Sequence, residues 1–293
     1  MTSTTSISGR KTRPTLLNLA LASSLSFGLL AGLGGCSQAV SMTTAAVTPE
    51  YTGGKVAYAP GTPTVVFEHG ADENGKGTWN GMISKVRPFA PTFAYSRTGW
   101  GDNPFGDVPA ARTPSVGAAA LRHRLQKTGV QPPYILVGHS IGSYYVLNYA
   151  RQWPNEVAGV VLVDGRLPAF TANCQKNNGN LCDPTENELI MALMPAAGRS
   201  EIMGEKKGRH EIPAPSELGT IPVTVIYNTK REFPHNDGFM KGWTETQSAY
   251  AAGLQNGEAI PVAGGHFIHH TYPDIVTNAI RKQVDGARAR AGN

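Results

Sequence analysis

A chain of 293 residues, 40% hydrophobic and 16% charged, has the composition of a folded protein with one large or two small domains, which excludes global disorder. Its formal net charge is +5, yet residues 1–35 hold Arg10, Lys11 and Arg13 and no acid, so the remainder carries 23 basic and 21 acidic residues. That near balance leaves no electrostatic footprint for nucleic acid.

The chain opens with a targeting segment. Arg10, Lys11 and Arg13 form a positive region, and Leu16 to Leu33 is a mostly apolar run of small residues and leucines. The run ends Leu33-Gly34-Gly35-Cys36, which resembles the bacterial lipoprotein signal, where the cysteine after a small-residue pair becomes the lipidated first residue. Residues 1–35 are therefore expected to be a signal peptide and Cys36 the site of a lipid anchor to the cell envelope. Ser37 at the next position resembles the outer-membrane sorting pattern, on the periplasmic or surface face. An ordinary signal peptide, or an uncleaved anchor with Cys36 incidental, is the competing reading. Residues 36–50 read as a flexible tether and 51–293 as the folded domain.

From about Tyr51 strand and helix patterns alternate, which predicts an α/β fold: a mostly parallel central sheet with helices on both faces. Thr64 to Phe67 is a continuous apolar β run and Phe93 to Tyr95 a second. Ser115 to Lys127 reads as a helix ending at Gly129, and Tyr134 to Val137 as a strand. Ile141 to Trp153 reads as a helix stopped by Pro154, and Val157 to Val163 as a buried strand. Between Gly165 and Gly219 the alternation lapses. That stretch holds a polar loop with Cys174 and Cys182, which an oxidising compartment would join as a disulfide of about 2–3 kcal/mol. Two cysteines without a nearby histidine make a poor zinc site. Strands are expected again at Pro222 to Tyr227 and Ala259 to Val262. Pro273 opens a last helix whose Ile275, Val276, Ala279, Ile280 and Val284 share a face. Its Arg281, Lys282, Arg288 and Arg290 read as a solvated end.

Within this frame Gly138-His139-Ser140-Ile141-Gly142 reads G-x-S-x-G between a strand and a helix. A serine hydroxyl is a poor nucleophile at neutral pH and needs a base oriented by a third group, and the developing oxyanion needs fixed donors. His266 follows the last strand, after Gly264-Gly265; His269 and His270 are its rivals. Glu68-His69-Gly70-Ala71-Asp72 follows the first strand, and its His-Gly resembles an oxyanion loop whose next residue gives one backbone N–H, so Ala71 would donate alongside Ile141. For the acid, Asp164 ends the Val157–Val163 strand at the carboxyl edge of the sheet, and Asp237 and Glu232 follow the Pro222–Tyr227 strand. Asp164 is the preferred candidate. No carboxylate or cysteine stands among His266, His269 and His270 to complete a metal shell, so no metal and no organic cofactor is expected.

Together these motifs resemble the α/β-hydrolase superfamily from about Val65 to Val284. Tyr95-Ser96-Arg97-Thr98-Gly99-Trp100-Gly101 is similar to a family turn, with Ser96 where an aspartate is usual, which weakens any claim of local salt bridges there. The resemblance makes Val157–Val163 the sixth strand of the family's scheme and residues 165–219 a lid inserted after it. It implies a Ser140-Asp164-His266 triad that cleaves an ester or related small-molecule acyl substrate through an acyl-enzyme. A serine peptidase of the same fold and a non-catalytic, lipid-anchored binding protein are the alternatives. Oligomeric state is not legible in the sequence.

Overall fold

The computed structural model describes residues 50–51, 58–59 and 61–292. The expected signal peptide, Cys36 and almost all of the tether lie outside these residues. Among the described residues seven strands form one sheet in the order β1-β3-β2-β4-β5-β6-β7. They are β1 (Glu50–Tyr51), β2 (Thr64–Glu68), β3 (Thr92–Ala94), β4 (Tyr134–His139), β5 (Val157–Val163), β6 (Val223–Asn228) and β7 (Gly257–Val262). Strands β2 to β7 are all parallel, and the short β1 pairs antiparallel with β3 at the edge. Among the described residues Val157–Val163 is the fifth strand in chain order.

Parallel strands are covered on both faces, so they carry unbroken apolar runs, and successive side chains serve opposite layers. Val66, Leu136, Val160 and Leu162 point into one core, with α2 (Pro114–Lys127) and α3 (Gly142–Gln152). Val65, Phe67, Ile135, Val137, Val161 and Val163 point into the other, with α1 (Asn80–Val86) and the C-terminal helix (Pro273–Ala291). The start of α2 is set by Thr113, whose hydroxyl accepts from the Val116 N–H, followed by Pro114. Among the described residues no helix is long and apolar enough to cross a membrane.

Residues 165–219 contain no strand. They hold α4 (Phe170–Lys176), α5 (Glu188–Leu193) and α6 (Ala196–Gly208), and a disulfide joins Cys174 to Cys182. After β6 comes a helix that the sequence pattern left unread, α7 (Asp237–Ala252). Helix α4 packs on α7, and Phe170, Cys174, Cys182, Phe239, Met240 and Trp243 form a separate small core between them.

The chain leaves β2 for β3 on one side and returns on the other side of β2 as β4. Ligands of open α/β sheets bind at such a reversal, beyond the carboxyl ends of the strands. Glu68, His139 and Val163 end three adjacent strands there.

Candidate active site

Ser140 sits between β4 and α3 with φ 51°, a left-handed conformation that non-glycine residues seldom adopt. The glycines on either side are needed because other backbone lies so close. A side-chain carbon on Gly142 would lie 2.6 Å from the His69 carbonyl oxygen, and one on Gly138 would lie 2.7 Å from a Val146 methyl. The turn is pinned at both ends: Ser140 N–H donates to Val163 O at 3.2 Å, and Arg166 N–H donates to Ser140 O at 3.1 Å.

The loop after β2 runs past this turn. A side-chain carbon on Gly70 would lie 3.0 Å from Ser140 Cβ. Arg97, buried in the turn after β3, grips that loop. Its guanidinium donates to the His69 and Gly70 carbonyls at 2.5 and 2.7 Å and to Glu68 at 2.5 Å. It also forms a two-pronged pair with Glu201 of α6 at 2.8 and 3.0 Å. Arg112 and the Trp100 indole N–H converge on the same Glu201 oxygen. Ser96, in the aspartate position of the family turn, accepts from the Lys76 N–H instead. The ion pairs at this turn therefore run through Arg97 to Glu68 and Glu201. A trans peptide points its C=O and the next N–H in opposite directions, so Arg97's hold on Gly70 O turns the Ala71 N–H away from the guanidinium. The N–H groups of Ala71 and Ile141 have no hydrogen-bond partner among the described residues.

Asp164 follows β5 with φ 44° and is 2% exposed. Its Oδ1 accepts from the Asn228 N–H and the Trp243 indole N–H, each at 2.8 Å. Its Oδ2 lies 2.7 Å from His266 Nδ1. A carboxylate only accepts here, so Nδ1 carries the hydrogen and Nε2 is left free as a base. His266 stands on the loop after β7, where its backbone N–H donates to Glu232 at 2.8 Å and Gly265 adopts φ 76°. Burial works against a charged imidazole, but the hydrogen bond and charge of Asp164, aided by Glu232, outweigh it and hold the His266 pKa above the ordinary value.

The rival residues go elsewhere. Asp237 is at the exposed start of α7 and pairs with Arg231 at 3.3 Å. Glu232 meets the backbone of His266, not its ring. His269 and His270 both reach the Thr78 hydroxyl at 3.1 Å, and the His269 ring lies against Trp79. Burial, and then the charges of His270 and His266, push the His269 pKa down to about 3. His139 is buried between the rings of His266 and His269, at 4.7 and 4.6 Å, and burial drives its pKa well down.

Ser140, Asp164 and His266 line one cavity of about 170 Å³. No hydrogen bond joins the Ser140 hydroxyl to the imidazole, and neither Ala71 nor Ile141 is among the lining residues. Much of the remaining wall is Phe239, Met240 and Trp243 of α7, with Asn228 at the end of β6 and Glu232 and His235 of the loop between β6 and α7. Of residues 165–219 only Arg166 reaches the cavity; the disulfide-bearing part packs behind α7. The sequence did carry a signal for this wall. Asn236 caps α7 by accepting from the Phe239 N–H, and Phe239, Met240, Trp243 and Tyr250 recur at helical spacing.

Comparison with known proteins agrees with this architecture. The chain is 26% identical over 221 residues to the protein YqjL of Bacillus subtilis (strain 168), covering 74% of this chain and 81% of that one. Its fold is similar to an esterase from Thermogutta terrifontis, with a TM-score of 0.58 and 17% identity, covering 82% of this chain and 93% of the other. It is also similar to the enol-lactonase of Burkholderia xenovorans, with a TM-score of 0.57 and 11% identity, covering 81% and 96%. At such identities these two likenesses speak for the fold alone. The family model of the alpha/beta hydrolases matches residues 65–279, and the chain belongs to that family.

Proposed function

We propose that the chain is a serine hydrolase that cleaves a small ester or related acyl compound. The observation that carries this reading is the 2.7 Å contact of Asp164 with His266 beside the strained Ser140, all three on one cavity. His266 Nε2 takes the hydroxyl proton as Ser140 Oγ attacks the acyl carbon. The resulting oxyanion is held by the Ala71 and Ile141 N–H groups, whose lack of internal partners leaves them available. Collapse of the tetrahedral adduct expels the alcohol, which receives its proton from His266, and leaves Ser140 acylated. Water, deprotonated by the same nitrogen, then releases the acid.

The cavity limits the substrate. At about 170 Å³ it is close to the roughly 150 Å³ space that accepts a benzene ring, and below the roughly 300 Å³ where drug-sized pockets begin. A short acyl chain or a small ring fits; a long fatty acyl chain does not. A panel of p-nitrophenyl esters should show kcat/KM highest for acetate to butyrate and falling about tenfold or more by octanoate, since forcing extra methylenes into a filled space costs roughly 1–3 kcal/mol. A rising series would refute a small acyl site.

A lipid anchor on Cys36, in the bacterial cell envelope, completes the reading. Its support is the positive region, the apolar run and the Leu-Gly-Gly-Cys ending. Mass spectrometry of protein extracted from membranes should find an acylated chain that begins at Cys36. A free Cys36 thiol with a mature start elsewhere would rule it out.

A further inference from the structure

The geometry points to Trp243 as a positioning residue for Asp164, held in place by the Cys174–Cys182 loop packed behind it. The inference rests on the triad reading above. Asp164 is in a left-handed conformation at a strand end, and its carboxylate could rotate about the Cα–Cβ and Cβ–Cγ bonds. Two donors on Oδ1 prevent this. One is the Asn228 backbone N–H of the neighbouring strand β6, fixed by the sheet; the other is the Trp243 indole N–H, on a helix that is not part of the sheet. With Oδ1 occupied, Oδ2 faces His266.

What places Trp243 is the insertion. A side-chain carbon on Gly242 would lie 2.6 Å from Cys174 Cα, so α7 meets the α4 backbone directly at the disulfide. Asn180 and Asn236 exchange hydrogen bonds through backbone N–H and side-chain oxygen, 3.2 and 2.8 Å long. The Asn173 side chain donates to the Thr246 hydroxyl at 2.8 Å. Phe170 lies edge-on to Trp243 with ring centres 4.9 Å apart. These contacts fix the start of α7 and hence the direction of the indole N–H.

The same N–H shares the negative charge of Asp164 with the imidazolium that forms in the reaction. Removing it leaves more of that charge to stabilise charged His266, so the pH at which His266 becomes a usable base rises. The other ionisable groups around the pair are Glu232 on the His266 backbone, His139 against its ring, and Arg166 and His235 on the cavity wall. None of them contacts the indole N–H, which is spent on Asp164.

The test replaces Trp243 in the full-length protein with 3-benzothienylalanine, which keeps the ring's shape and exchanges the N–H for sulfur, alongside Trp243→Phe and Asp164→Asn. For both Trp243 replacements the plateau kcat should fall about tenfold or more, the loss expected for a donor to a charged group, and the isostere, which keeps the cavity wall's shape, should leave KM within about twofold. The acid limb of the kcat/KM profile should move to higher pH. A merely structural role would lower the melting temperature of Trp243→Phe and leave the isostere's kcat and acid limb where they are in the parent. If Asp164→Asn is crippled while the isostere matches the parent in both, this inference is overturned and the triad stands. If Asp164→Asn is itself near normal, the triad reading has failed and this inference with it.

Discussion

Ser140→Ala is expected to lower kcat/KM by about 10⁴-fold or more and to abolish labelling by a fluorophosphonate. The argument is local. Ser140 is forced to φ 51° by a turn that ties its N–H to Val163 O and its C=O to the Arg166 N–H. Alanine keeps the same backbone contacts and loses only the hydroxyl, so the elbow, the cavity and the Asp164–His266 pair survive. Residual turnover should remain, because free N–H groups and binding still act on water-driven hydrolysis. Circular dichroism and the melting temperature should match the parent closely. A Ser140→Ala protein that still reacts with the probe would place the nucleophile elsewhere.

Asp164→Asn should cost about 10⁴-fold in turnover, as an amide in that place can present N–H to the imidazole and stabilise the wrong tautomer. Asparagine tolerates left-handed backbone well, so the fold is expected to persist. The pH dependence gives a second readout. In the parent, Asp164 holds the His266 pKa above its ordinary value, and the base works only once that proton has left. The parent's acid limb should therefore lie above about pH 6.5. Removing the carboxylate charge removes the main raising cause, so the residual activity of Asp164→Asn should extend to lower pH. Asp237→Asn breaks an exposed pair with Arg231 and should leave turnover within about twofold, since such pairs contribute roughly 0–1 kcal/mol. The reverse pattern, with Asp237→Asn crippled and Asp164→Asn near normal, would contradict the assignment.

Much of the architecture is legible in the sequence because it is written in local pattern. Continuous apolar runs mark β2, β4, β5 and β6 to within a residue or two, and glycines bracket the turn at Ser140 because main chain crowds it. The end of β5 is likewise legible as a place where a carboxylate can reach the active-site edge, and Asp164 does contact His266 there. What escapes is contact between residues far apart in the chain. Trp243 meets Asp164 across 79 residues, and Arg97 meets Glu201 across 104. No periodicity announces either pairing. The role of residues 165–219 is also indirect: they reach the cavity through Arg166, support α7 through α4 and hold Arg97 through Glu201, relations that exist only in three dimensions. Helix α7 itself was readable from the Asn236 cap and its apolar spacing, yet the loop-like Pro234-His235-Asn236-Asp237-Gly238 stretch conceals its start.

The most direct test of the central claim is to treat the purified protein with a fluorophosphonate and locate the adduct by peptide mass spectrometry. A single phosphonyl group on Ser140, formed more slowly as pH falls through the His266 titration and nearly absent in His266→Ala, is the predicted result. An adduct on another residue, or none on a protein that still hydrolyses its ester, would contradict it.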